Sequence, residues 1–279
     1  MSRIILSGST GFIGKALKNF LASHGHQVVN YSSRASSKCC RKPDLNADIV
    51  IHLEGEPLAG RWTAAKRMNI LKSRVGSTYY LANALKNQPP KLFICASAIG
   101  IYGDRGDEIL TEDSPRGRGF LSAVCEKWEA VAQQLQESRV VHTRFGIVLG
   151  KDGGALKKMS LPYKLGLGAT LGNGKQWMSW IALQDLLRAI DFIINNESLS
   201  GPINLTSPNP VPQQKFSEAL AHSFHRKAFL RIPRWLVKLL FGQMGIEMLL
   251  FSDRVIPKKL IEAGFTFSQP DLQETLSHL

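Results

Sequence analysis

The chain has 279 residues, 44% hydrophobic and 20% charged, a globular composition that excludes disorder, and 24 Gly with 13 Pro exclude a collagen-like chain. Its four Cys, two of them adjacent at Cys39 and Cys40, build neither a secreted disulfide framework nor a CxxC metal knuckle, so a reduced, cytoplasmic compartment and no metal site are expected. The 35 basic against 22 acidic residues give a formal charge of +13, and Arg226 to Lys259 alone holds eight Lys and Arg against two acids. Such a face suits nucleic acid, an anionic membrane or a phosphorylated ligand, or is simply solvated. No basic stripe is interleaved with stacking aromatics, so nucleic acid is not an expected partner.

Arg3 to Ser7 is a short, branched apolar run of the kind that forms a strand buried on both faces. It leaves no room for a signal-peptide core. The turn Gly8-Ser9-Thr10-Gly11-Phe12-Ile13-Gly14 follows, and helical spacing of Phe12, Ile13, Ala16, Leu17, Phe20 and Leu21 predicts a helix to about residue 23. Strands are expected over Gln27 to Ser32, Ala47 to Leu53, Lys91 to Ala96 and Arg139 to Phe145, with helices over Trp62 to Leu85 and Phe120 to Leu135. Ser36 to Asn46 reads as a loop. Residues 151–177 read as extended chain with one short helix, Gln176 to Ile181 as a strand, Gln184 to Ile194 as a helix and Gly201 to Leu205 as a last strand. Helices are expected over 213–224, 233–250 and 257–263; the apolar stretch from Trp235 to Phe251 is broken by Lys238, Gln243 and Glu247 and is too short to cross a bilayer. The alternation predicts an α/β Rossmann-type, doubly wound parallel sheet with a smaller, mainly helical C-terminal domain. Residues 1–157 and 178–206 belong to the first part, 158–177 and 207–279 to a substrate or lid domain.

The glycine turn has a physical job. Gly8 permits the sharp turn, Gly11 lets backbone approach a pyrophosphate, and Gly14 lets helix and strand pack closely. The helix behind it offers unpaired N–H groups and the positive end of its dipole. An NAD site usually places an acid about 20 residues beyond the glycines. The stretch from Val28 to Ser37 contains none and offers Ser33 and Arg34 instead, groups that suit a 2′-phosphate, so NADP(H) is expected over NAD(H).

These residues resemble a family. Ser7 to Gly14, His52 to Leu58, Arg61-Trp62-Thr63, Ser73-Arg74, Ala96-Ser97-Ala98, Tyr102-Gly103-Asp104 and Trp128-Glu129 are similar to the epimerase family proteins, an atypical subgroup (family 39U) of the extended short-chain dehydrogenase/reductases. Leu165 to Gly168, Gln176-Trp177, Trp180-Ile181, Asp185, Arg254 to Leu260 and Gly264-Phe265 carry the similarity to the end of the chain, where it reaches that subgroup's C-terminal domain of unknown function. The resemblance implies that Thr10, Gly11, Phe12, Ile13 and Gly14 hold the pyrophosphate, that Leu53, Glu54 and Gly55 lie along the ribose and nicotinamide, and that Asn69 and Arg74 add contacts from the long helix. Glu54 stands where Ala is usual and Ala182 where His is usual.

Typical members of the superfamily use a Ser or Thr and a Tyr-x-x-x-Lys helix, the tyrosine giving the proton and the lysine holding the ribose. Ser97 fits the first role and Lys127 the lysine, but Ala123 stands four residues earlier where the tyrosine belongs. Tyr102, Cys125 or a water are the candidate replacements; Cys125 reads rather as a buried, inert thiol, and Gln176, Trp177 and Trp180 as pocket walls or core. The expected function is an NADP(H)-binding oxidoreductase of epimerase/dehydratase type acting on a small carbonyl or hydroxyl substrate, a nucleotide sugar being one candidate. The alternative is a non-catalytic NADP(H)-binding regulatory protein. A monomer or homodimer without a membrane span is expected.

Overall fold

The computed structural model describes residues 1–32 and 44–278. The first half of the chain runs β1 (Arg3–Ser7), α1 (Phe12–Ser23), β2 (Gln27–Tyr31), β3 (Ile49–His52), α2 (Ala64–Leu71), α3 (Ser77–Leu85), β4 (Leu92–Ala98), α4 (Phe120–Ala132) and β5 (Arg139–Phe145). Next come β6 (Ile147–Leu149), α5 (Gly154–Lys164), β7 (Ala169–Leu171), β8 (Trp177–Met178), β9 (Trp180–Ala182), α6 (Leu183–Asn195) and β10 (Gly201–Leu205). The chain ends with β11 (Val211–Pro212), α7 (Gln213–Ser223), β12 (Leu230–Ile232), α8 (Arg234–Gly245), α9 (Lys258–Glu262) and α10 (Leu272–Ser277).

Six strands form one parallel sheet in the order β10-β5-β4-β3-β1-β2. Their alternation of side chains explains the layers. Ile4, Leu6, Ile49, Ile51, Leu92 and Ile94 face Leu17 and Leu21 of α1 and Leu186, Ile190 and Ile193 of α6. Ile5, Val50, Phe93 and Val140 face the opposite layer, made by Leu81 and Leu85 of α3 and Trp128 and Ala132 of α4. Both faces are covered, so the strands read as unbroken apolar runs. The doubly wound sheet expected from the alternation is the observed architecture.

A smaller body gathers α5, α7 and α10 around Leu156, Tyr163, Trp180, Phe216, Leu220, Leu272 and Leu276. The chain after Ser252 also returns to the large body: Val255 packs with Tyr102 and Cys125, while Leu260 and Phe265 join the core under α1 and α6. Asp185, buried at the start of α6, accepts from Ser268 N, Ser268 Oγ and Gln269 N and so fixes this tail.

Several elements differ from expectation for local reasons. The strand expected over Gln176 to Ile181 breaks at Ser179, whose carbonyl accepts from Ile147 N while its Oγ takes part in bonds to Asp253 O and Val255 N. The long helix contains a π-helical turn at Lys72–Gly76, where Ser77 Oγ donates back to the Ser73 carbonyl at 2.6 Å. Helix α10 was not expected, although its cap is written in the sequence: Asp271 accepts from Glu274 N at 2.8 Å. Of the loop expected over Ser36 to Asn46, residues 36–43 lie outside the described residues, as do Cys39 and Cys40.

Candidate functional site

The site begins where β1 turns into α1. Gly8 has φ +74°, and a Cβ there would lie 2.8 Å from the Leu53 carbonyl carbon. A Cβ on Gly14 would collide with the Gly8 carbonyl, which also accepts from Gly11 N at 3.0 Å. The glycines are therefore required by contact between the turn, α1 and the end of β3. Thr10 and Gly11 are exposed at the mouth of the turn. The α1 N-cap is Gly11 itself, with no side-chain cap and no acid in the first turn, so its first amides and dipole face outward uncompensated. Phe12 is clasped from behind by a second glycine cluster: a Cβ on Gly150 or Gly154 would lie within 2.9 Å of its ring. Gly150, Gly153 and Gly154 are the signal in the sequence for that support.

The loop after β3 forms the opposite wall of this crevice. Arg74 donates to the Glu56 carbonyl at 3.0 Å, stacks over Trp128 at 5.4 Å and lies under Gly55, where a Cβ would be 3.1 Å from its guanidinium carbon. Burial lowers its pKa. Ser73 Oγ accepts from Glu56 N, and Lys66 pairs with the Glu56 carboxylate at 2.8 Å. Arg74 thus shapes the Leu53–Glu56 wall, while Asn69 is exposed one turn before it. Beneath the wall, His52 is fully buried, bridging Ser7 Oγ at 2.6 Å and Ser77 Oγ at 3.2 Å. Ser77 spends its hydrogen on the Ser73 carbonyl, so Nε2 of His52 carries the proton and Nδ1 accepts from Ser7. Burial pushes the imidazole down to about 4 and keeps it neutral.

At the end of β4, Ser97 is buried and donates to Glu129 Oε1 at 2.6 Å. Arg144, its cross-strand neighbour on β5, grips the same carboxylate through Nε and Nη2, both at 2.9 Å. Burial opposes ionisation of Glu129, but the guanidinium outweighs it and holds the carboxyl below its usual range. Arg144 Nη1 also donates to the Tyr102 hydroxyl at 2.8 Å, which in turn donates to Asn204 Oδ1 at 2.7 Å.

This network gives Tyr102 a different position from the one expected of a proton donor: it is fully buried, and burial pushes its hydroxyl up to about 12. Lys127 is also displaced from its expected role. Helix α4 turns Leu121, Val124, Cys125 and Trp128 inward, and Lys127, two residues past Cys125, is exposed. The inward pair one turn apart is Leu121 and Cys125, and burial pushes the Cys125 thiol up to about 11.

The expected pocket walls separate. Trp180 is fully buried and donates to the Asn209 carbonyl; Gln176 is buried and donates to the Leu171 and Leu249 carbonyls. Only Trp177 is half-open, held by Asp107 Oδ1 at 2.8 Å and by Arg254 stacked 4.2 Å from its ring. Near it, Asp253 has a buried Oδ1 without a partner among the described residues, and burial beside Asp104 pushes its carboxyl up to about 8. A cavity of about 360 Å³ lies against Asp104, Arg118 and Phe251. A larger one, about 410 Å³, is lined by Arg3, Asp48 and Lys91 at the far end of the strands, away from the glycine turn. Ser33 and Arg34 lie outside the described residues. Among the described residues no three His, Cys, Asp or Glu side chains converge on a metal position.

A glycine turn feeding a helix N-terminus, at the carboxyl ends of a parallel sheet, defines a Rossmann-type dinucleotide-binding protein. The comparisons sharpen the class. The model of the NAD dependent epimerase/dehydratase family matches residues 4–205, and that of a domain of unknown function, DUF1731, matches residues 232–279. The chain belongs to the NAD dependent epimerase/dehydratase family. It is 36% identical over 296 residues to the epimerase family protein YfhF of Bacillus subtilis, covering 99% of this chain and 97% of that protein. The human epimerase family protein SDR39U1 (isoform 2), solved with NADPH, matches with a TM-score of 0.91 at 30% identity, over 99% of this chain and 98% of that one. A nucleoside-diphosphate sugar epimerase from Corynebacterium glutamicum matches with a TM-score of 0.77 at 31% identity, over 99% of this chain and 57% of that one.

Proposed function

We propose that this chain binds NADP(H) in preference to NAD(H) and is an oxidoreductase of the epimerase/dehydratase type acting on a small carbonyl or hydroxyl substrate, a nucleotide sugar being one candidate. The observation that carries the reading is the turn at Gly8, Gly11 and Gly14, packed tightly against the end of β3, which leaves Thr10 and Gly11 exposed and the first amides of α1 without a side-chain cap. Thr10 to Gly14 would hold the pyrophosphate by backbone amides, with the α1 dipole behind them. Leu53, Glu54 and Gly55 would border the ribose and nicotinamide, Arg74 and Asn69 would support that side, and Ser33 with Arg34 would take the 2′-phosphate. The human relative solved with NADPH supports the choice of dinucleotide.

When bound, the nicotinamide supplies a hydride donor or acceptor. Ser97, at the carboxyl end of β4 and held by its bond to Glu129, would contact the substrate's reacting oxygen and orient it. Arg144 keeps Glu129 charged and the serine fixed. Lys127 and Tyr102 have no part in this scheme, one exposed and the other sealed in the core. A second reading, a non-catalytic NADP(H)-binding regulatory protein, is favoured by the inward pair Leu121 and Cys125, which offers no readily exchanged proton at neutral pH.

Titration of the protein with NADPH and separately with NADH, by nucleotide fluorescence, tests the first step. NADH should bind at least about tenfold more weakly, equivalent to about 1.4 kcal/mol, and Arg34→Ala should remove the difference. Failure of both nucleotides to bind refutes the reading. Given binding, NADPH consumption across a panel of carbonyl substrates, lost in Ser97→Ala, supports the enzyme; binding without turnover leaves the regulatory reading.

A further inference from the structure

The C-terminal part of the chain sets large apolar side chains in water among cations. No acid occurs between Asp152 and Asp185 or between Glu218 and Glu247, whereas these two stretches together hold nine Lys and Arg. The parallel β7–β12 ladder sets the stretches side by side, pairing Leu230 with Ala169 and Ile232 with Leu171. On this basic ground large apolar side chains stand in water. Trp235, 66% exposed, and Leu239 lie one turn apart on α8, opposite buried Val237 and beside Arg234 and Lys238. Leu161 and Leu165, 68% exposed, repeat the arrangement at the end of α5 beside Lys157 and Lys158, opposite buried Leu156 and Ser160. Phe229, 72% exposed, stands just before the ladder.

We infer that this face docks on the surface of an anionic lipid bilayer, with Trp235, Leu239, Leu161 and Leu165 entering the headgroup region and the flanking cations meeting lipid phosphates. Soluble chains rarely leave so many large apolar side chains open, and Trp, Phe and Leu beside Lys and Arg is the composition of interfacial helices. Each cation near an anionic leaflet strengthens binding several-fold. A second copy meeting this face about a two-fold axis would set like charges, Arg234 and Lys238 among them, against their own copies. Nucleic acid would account for the cations but gives Leu161, Leu165 and Leu239 nothing to bury against. No helix among the described residues is long and apolar enough to cross a membrane, so the contact lies along the surface.

Co-sedimentation of the full chain with phosphatidylcholine vesicles, and with vesicles in which roughly a third of the lipid is phosphatidylglycerol, tests this. The anionic vesicles should bind at least about tenfold more tightly, and raising salt should weaken but not erase the preference. Trp235→Ala with Leu239→Ala should lower partitioning at least about tenfold, and Arg234→Glu with Lys238→Glu should abolish the anionic preference. Because these side chains are exposed, both variants should keep the wild-type melting temperature and NADPH affinity. Absence of binding to the anionic vesicles overturns the inference, as does equal partitioning of the Trp235/Leu239 variant. Self-association lost in that variant without lipid binding, or binding to duplex DNA alone, overturns it too.

Discussion

Glu129→Gln isolates the physics at the centre of this fold. In the wild type the carboxylate takes one hydrogen bond from Ser97 and two from Arg144, and the arginine and glutamate side chains are only 8% and 13% exposed. Glutamine keeps the volume but removes the charge and turns at least one donor toward a guanidinium that has only donors. Arg144 is then a buried cation without its counter-ion, which costs about 3–5 kcal/mol. For 279 residues an unfolding entropy of roughly 2.1 cal/mol/K per residue converts this into a fall in Tm of about 5–8 °C. Adding Arg144→Met should recover part of the loss, because the unpaired charge goes with it. The folded-state pKa of Glu129 is lowered, so its stabilisation is present above the ordinary glutamate range and disappears as pH falls through the folded value. The gap between wild type and Glu129→Gln, measured by urea unfolding, should therefore be full at neutral pH and begin to narrow as pH falls below about 4. A variant within about 1 kcal/mol of wild type at neutral pH, or a gap indifferent to acid, would refute the argument.

Gly8→Ala should cost about 1–2 kcal/mol from backbone strain at φ +74° alone, and more from the contact with Leu53, while lowering NADPH affinity at least about tenfold. Thermal melting and nucleotide titration read the two effects separately, and unchanged affinity would show that the turn does not hold the cofactor. His52 carries the opposite pH signature from an ion-paired histidine. Its folded pKa, about 4, lies below the ordinary value near 6.5, so the unfolded chain binds the proton first and stability falls as pH drops through that window. The loss should approach about 3 kcal/mol, and His52→Asn should flatten that part of the stability profile. A profile equally steep in the variant would assign the slope to other groups.

What the sequence by itself determined is the part governed by local pattern. The apolar strands, the first helix and the glycine turn are read from neighbours along the chain, because burial on two faces and a tight corner each impose residue types at fixed spacing. The strand Arg139 to Phe145 and the strand Gly201 to Leu205 fall where the pattern placed them. The orientation of Lys127 is also written there: the inward stripe Leu121, Val124, Cys125, Trp128 and Ala132 assigns Lys127 to the outer face, because helical phase and not motif spacing decides which side chains turn inward. What only the tertiary structure decided is the company that distant residues keep. Ser97 meets Arg144 through the β4–β5 register, Glu129 reaches both from α4, and Tyr102 is sealed against Asn204 of β10. Those partners come from β4, the turn after it, α4, β5 and β10, and the free energy of a buried charge depends on what surrounds it in space rather than on what precedes it in the chain.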